Sequence, residues 1–199
     1  MNTSNLAHHF DTPTQQFEAA KLGMWLFLAT EVLFFGGMFT GYTVYRMLYP
    51  AAFAEGSSHL DVLLGTINTA VLLLSSLMMA LAVHAAQTNG KRLLHWIGGT
   101  AALGAVFLAI KAVEYQHKFH DHLGPGEHFN DGAHVEILSP STELFFSFYF
   151  AMTGMHALHM VIGLGLLAWI AAAAARKRFS PEYYTPVEMV GLYWHFVDI

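Results

Sequence analysis

The sequence predicts an all-α membrane protein, a polytopic bundle with five transmembrane helices. Three observations predict it. Only 12% of the 199 residues are charged, about half the usual share in a soluble domain. Mean hydropathy is +0.43. Several apolar runs exceed the roughly 20 residues that a helix needs to cross the hydrocarbon core. The chain reads as a single membrane domain over 1–199, without internal repeats.

The first span is expected at about 18–48, with its apolar centre from Leu22 to Tyr42, and ends at Pro50 and the AEGSSH stretch. The second covers 61–87, and Asn89-Gly90 makes the turn into the third, at 91–117. A long polar, His-rich loop follows and closes at Pro140. A Ser-Thr-Glu start then opens the fourth span, at 141–178. The fifth begins near Thr185 and runs to Ile199. From Pro186 that is about 21 Å of helix, short of a ~30 Å core, so the last helix is expected to be incomplete in this sequence.

Basic residues set the expected orientation. Lys21, Lys91, Arg92, Arg176, Lys177 and Arg178 fall on one side of a five-span arrangement, and Arg46 and Lys118 on the other. That asymmetry predicts a cytoplasmic N-terminus. A net charge of −5 with no basic patch gives no footprint for nucleic acid. Cysteine is absent, which excludes disulfides, iron–sulfur clusters and thiolate copper centres. Thirteen histidines remain as possible ligands.

Polar residues inside apolar spans are costly and therefore informative. Glu31 sits in LFLATEVLFF, with Phe27, Leu28, Phe34 and Phe35 at helical spacing. It reads either as a packing acid bonded to another helix or as a proton-exchanging or lipid-contacting carboxyl. Lys111 and Glu114 share a face and suit a structural ion pair. His156 and His159 share a face in TGMHALHMVIG, either as neutral hydrogen-bonding imidazoles or as two ligands still in need of others. Glu188, His195 and Asp198 lie on one stripe with Gly191 and Leu192, which should face protein; Glu188 suits proton uptake or an interhelical bond. Thr66, Asn68 and Thr69, with Gly37-x-x-x-Gly41, Gly99 and Gly104, read as helix packing. His8, His9, His117, His120, His122, His128 and His134 lie mostly in polar segments with irregular spacing and read as solvated. Glu114, His117 and His120 on one face are the weak metal alternative.

Five motifs then occur in the order known from one family: GMWLFLATEVLFFGG, INTAVLLLSS, AVEYQHKF, FYFAMTGMHALHMVIG and PVEMVGLYWHFVDI. From Gly23 to Ile199 the chain resembles subunit III of haem–copper cytochrome c oxidase, in its short bacterial form. The resemblance implies a multi-pass subunit of the bacterial cytoplasmic membrane that binds no cofactor itself; haem and copper belong to partner subunits. It implies contact with subunits I and II, structural lipid in a cleft, support of proton uptake and protection of the active site, and leaves open whether the complex joins a larger respiratory supercomplex. Glu31 matches the family's buried glutamate beside that lipid cleft. Related five-helix subunits of quinol oxidases and nitric oxide reductases are the near alternative. A small b-type cytochrome, with His156 or His159 and His195 clamping haem, is the distant one.

Overall fold

The computed structural model describes residues 6–126, 129, 139 and 141–198. Pro140 and Ile199, and His128 and His134 of the polar loop, lie outside the described residues. Among the described residues six helices follow in order: α1 (Pro13–Leu48), α2 (Pro50–Ser58), α3 (Val62–Gln87), α4 (Leu93–His120), α5 (Thr142–Ala175) and α6 (Thr185–Asp198). Among the described residues, α1, α3, α4 and α5 are long and apolar enough to cross a membrane. α6, with 14 residues, is shorter.

Local chemistry explains the boundaries. Thr12 accepts the backbone N–H of Gln15 at 3.1 Å and Pro13 occupies the first turn, so α1 starts before the expected Glu18. Asp61 caps α3 in the same way, accepting from Leu64 N at 3.0 Å. α3 ends where Asn89 turns left-handed, at φ 54°, and Gly90 N donates to Ala85 O. Lys177 takes the same role after α5, at φ 54°, with Arg178 N reaching back to Ala173 O. That cap stops the helix at Ala175, short of Arg178. α2 corrects the expectation of a plain break after the first span. Pro50 occupies a first-turn position of the new helix, where its missing N–H costs nothing.

α6 is short, at 14 residues, yet packs on three longer helices. It lies against α1, α3 and α5. Trp194 is fully buried among Met79 on α3, Ile97 and Phe107 on α4, and Met160 and Leu167 on α5. Its indole fills a slot left by two glycines. A Cβ on Gly104 would lie 2.7 Å from the ring, and one on Gly163 2.9 Å from it. Gly191 brings α6 equally close to Val83 of α3. Gly37, by contrast, meets nothing within 4 Å and is not a packing glycine among the described residues. Thr66 and Thr69 also depart from expectation. Each hydroxyl donates within its own helix, to Val62 O and Gly65 O, rather than across to a neighbour.

A second, smaller apolar cluster joins Phe53 of α2 to Phe145 and Phe146 of α5 and to Leu123. Glu55 ties the two helices further, accepting from Thr142 Oγ1 at 2.5 Å and from Ser139 N. No residue in the apolar window of α1 is buried within the chain. Leu26, Val32, Leu33 and Phe39 are exposed along it, an arrangement that water would penalise and hydrocarbon would solvate.

Candidate functional site

Glu31 and His159 are brought together. α1 runs beside α5, and Glu31 Oε2 lies 3.1 Å from His159 Nε2 with both side chains largely buried. This is ion-pair distance rather than an aligned hydrogen bond, and Oε2 has no hydrogen-bond partner among the described residues. The other ring nitrogen, Nδ1, is 2.8 Å from Met155 O. A carbonyl only accepts, so Nδ1 must carry a proton. Two states then suit Nε2: bare, facing a protonated Glu31, or protonated, facing the carboxylate. An acid and an imidazole in contact answer each other's polarity, which lowers the cost of keeping both in hydrocarbon. Phe35 edges the imidazole at 5.3 Å, and Tyr193 OH donates to His159 O at 2.9 Å. α1, α5 and α6 therefore converge on this one site.

His156 shares the helix but not the site. It turns to α4, where its ring meets Phe107 edge-on at 5.2 Å. His195 belongs to the α3–α6 seam, its Nδ1 2.6 Å from Ser76 Oγ. Asp198 lies one turn on, and both its carboxyl oxygens are buried without a hydrogen-bond partner among the described residues. Glu188 Oε2 and the Asn68 amide are in the same condition. His159 and His195 are thus committed to different partners, on α1 and α3, which argues against a shared haem between them.

Lys111 Nζ donates to Glu114 Oε2 at 2.9 Å. Glu114 Oε1 also accepts from Tyr149 OH of α5 at 2.5 Å. Around this pair, Tyr115 OH meets Thr153 Oγ1 and Lys118 Nζ donates to His59 O. The spacing of Lys111 and Glu114 is visible in the sequence. Tyr149, Ser75 and Ser76 carry no such signal, because tyrosine and serine are unremarkable in apolar helices until a partner appears. Among the described residues no group of three or more His, Asp or Glu side chains is placed to hold a metal ion, the Glu114–His117–His120 face included. A cavity of about 430 Å³ lies between the start of α1 and the α5–α6 connection and includes none of these residues.

The fold and these sites define an integral membrane helix bundle whose buried polar groups join helices to one another. The family model described as cytochrome c oxidase subunit III matches residues 133–199. Cytochrome c oxidase subunit 3 of Synechocystis sp. is 35% identical over 89% of this chain and 69% of its own length. Its counterpart from Thermostichus vulcanus is 33% identical, over 89% and 80%. Cytochrome bo(3) ubiquinol oxidase subunit 3 of Pseudomonas aeruginosa is 29% identical, over 89% and 78%. The chain belongs to the cytochrome c oxidase subunit III family.

Proposed function

We propose that this chain is the non-catalytic subunit III of a bacterial haem–copper terminal oxidase. It packs on subunit I in a complex that also contains subunit II, and haem and copper reside in those partners. The observation that carries the reading is the match along 89% of the chain to oxidase subunit 3 proteins. In this reading five helices span the cytoplasmic membrane, α6 being the last, with the N-terminus on the cytoplasmic side where most Lys and Arg lie. Structural lipid lies along the exposed face of α1, and the Glu31–His159 pair borders it. A buried acid and imidazole in contact suit a lipid- or subunit-facing polar site in low dielectric. Glu188, at the start of α6, is the candidate for exchange with the aqueous phase.

A second reading, a quinol oxidase subunit, rests on the Pseudomonas aeruginosa relative. The two differ in the partner's electron donor rather than in this chain.

One preparation tests both. The complex carrying this chain is drawn from native membranes in mild detergent, and its reduced-minus-oxidised spectrum is compared with that of the chain alone. The expected result is haem bands from the complex and none from the chain. A haem band from the chain alone refutes the reading. Turnover with reduced cytochrome c against a quinol names the donor class. In the same complex, Glu31→Gln keeps shape but removes the exchangeable carboxyl. Assembly is expected to persist, while bound lipid and the number of turnovers before inactivation fall. Unchanged lipid and lifetime would reduce Glu31 to a packing residue.

A further inference from the structure

α6 lies in a trough. It packs against α1 on one side and α3 on the other, while α1 and α3 make no comparable contact with each other among the described residues. On the α3 side His195 is half-buried, with Nδ1 2.6 Å from Ser76 Oγ. An imidazole has two ring nitrogens, and each needs a partner. If the serine donates to Nδ1, Nε2 carries the proton and lacks an acceptor. If the serine accepts, Nε2 is bare and lacks a donor. Among the described residues no hydrogen bond reaches Nε2 in either state.

Depth decides what can answer it. From Thr185, the first residue of α6, to His195 is about 15 Å of helix at 1.5 Å per residue. That is close to the middle of a ~30 Å hydrocarbon core. A lipid headgroup stays at the boundary, and an acyl chain has neither donor nor acceptor. Lipid in the trough would leave Nε2 unpaired, where an unmade hydrogen bond is costly. A polar side chain on a neighbouring transmembrane helix does reach this depth. The α3 wall admits such a helix. Thr69, Ser76 and Ala80 are small, and Thr69 and Ala80 are exposed. The Thr69 hydroxyl already donates to Gly65 O, so it asks for no partner of its own. Leu73, 64% exposed, gives the same wall an apolar contact.

We propose, on the reading of this chain as an oxidase subunit, that the trough between α1 and α3 seats a transmembrane helix of subunit I, and that a hydroxyl, amide or carboxyl of that helix bonds His195 Nε2. Packing on subunit I thereby acquires a particular face and a particular polar contact.

The test uses the assembled oxidase in native membranes. A benzophenone side chain replaces Ala80 beside the trough or, for comparison, Ala102, which is exposed on α4. After irradiation, peptide mapping by mass spectrometry is expected to place the Ala80 adduct on a transmembrane peptide of subunit I, and to find none there from Ala102. An Ala80 adduct on lipid alone, or on a second copy of this chain, overturns the proposal; if haem-bearing subunit I is still recovered with the chain, the subunit reading stands. Recovery of the chain without any haem-bearing partner overturns both. Two substitutions then separate the ring nitrogens. His195→Gln puts an amide near the position of Nε2 and gives up the Ser76 bond, whereas His195→Asn does the opposite. His195→Asn is expected to lower the subunit I retained through mild detergent about threefold, the effect of one interhelical hydrogen bond in a membrane, and His195→Gln to retain it as wild type does. The reverse order, or equal retention by all three proteins, would confine His195 to its bond with Ser76 and overturn the proposal.

Discussion

Replacing Trp194 with alanine is expected to cost the folded chain about 3 kcal/mol, and Gly104→Ala about 1–3 kcal/mol. The two changes attack one joint from opposite sides. Trp194 is fully buried, and its indole Nε1 donates to Ser75 Oγ at 3.1 Å. Ser75 Oγ in turn donates to Thr100 O at 3.1 Å, so one side chain of α6 is tied through α3 to α4. Trp194→Ala empties the slot; Gly104→Ala puts a methyl where the ring already is. The figure for Trp194 sits at the low end of the usual range because lipid tails are as apolar as the core. Separating helices in a bilayer therefore forfeits packing rather than hydrophobic transfer. Trp194→Phe keeps an aromatic ring and loses the N–H, so it should cost only about 1 kcal/mol. The measurement is an SDS titration of the chain in mild detergent, followed by far-UV circular dichroism. An order other than alanine worst and phenylalanine mildest would remove Trp194 from its place as the wedge. Because α6 contacts α1, α3 and α5, the alanine variant is also expected to reduce recovery of the assembled oxidase.

How far the sequence reveals this depends on the range of the interaction. The long apolar helices are legible because hydropathy is a property of the run itself. The turn at Asn89-Gly90 is legible because its chemistry is local. α2 was not, since Pro50 reads equally well as the end of one helix and the start of the next, and only the chain's path decides. The polar sites divide in the same way. Lys111 and Glu114 lie three residues apart, so their contact follows from helix geometry. The partners of His159, His195 and Glu114 lie on other helices, at Glu31, Ser76 and Tyr149, and spacing within one helix carries no information about them. His156 and His159 show the limit clearly. At three residues apart they share a face, yet the structure sends one ring to α4 and the other to α1, because α5 lies between the two. The glycines are legible as a class but not individually. Gly104 and Gly163 admit an indole while Gly37 meets nothing, and the difference lies in what stands opposite.

The second large effect is expected at Glu114. This residue is buried, and each of its carboxyl oxygens has its own donor: Lys111 Nζ at 2.9 Å and Tyr149 OH at 2.5 Å. Lys111 also lies 5.5 Å from the centre of the Tyr149 ring, so the three side chains form one cluster between α4 and α5. Glu114→Leu would strand an ammonium and a phenol at once in a largely dry place. Breaking a buried pair from one side costs about 3–5 kcal/mol, mostly because the remaining charge is left uncompensated. The intact pair itself contributes much less, since bringing both charges out of water offsets most of their attraction. The two statements are separable by experiment. Glu114→Leu alone should destabilise the chain by about 3 kcal/mol in the same SDS titration, and Lys111→Met alone by less, because a carboxyl left with Tyr149 can be neutralised by a proton. The double variant Glu114→Leu/Lys111→Met should recover most of the loss, because it removes both charges and leaves apolar groups of similar size. If the double variant were as unstable as Glu114→Leu alone, the stranded ammonium would not be the cause. The bond from Glu114 to Tyr149, which joins α4 to α5, would then be the contact that matters at this end of the bundle.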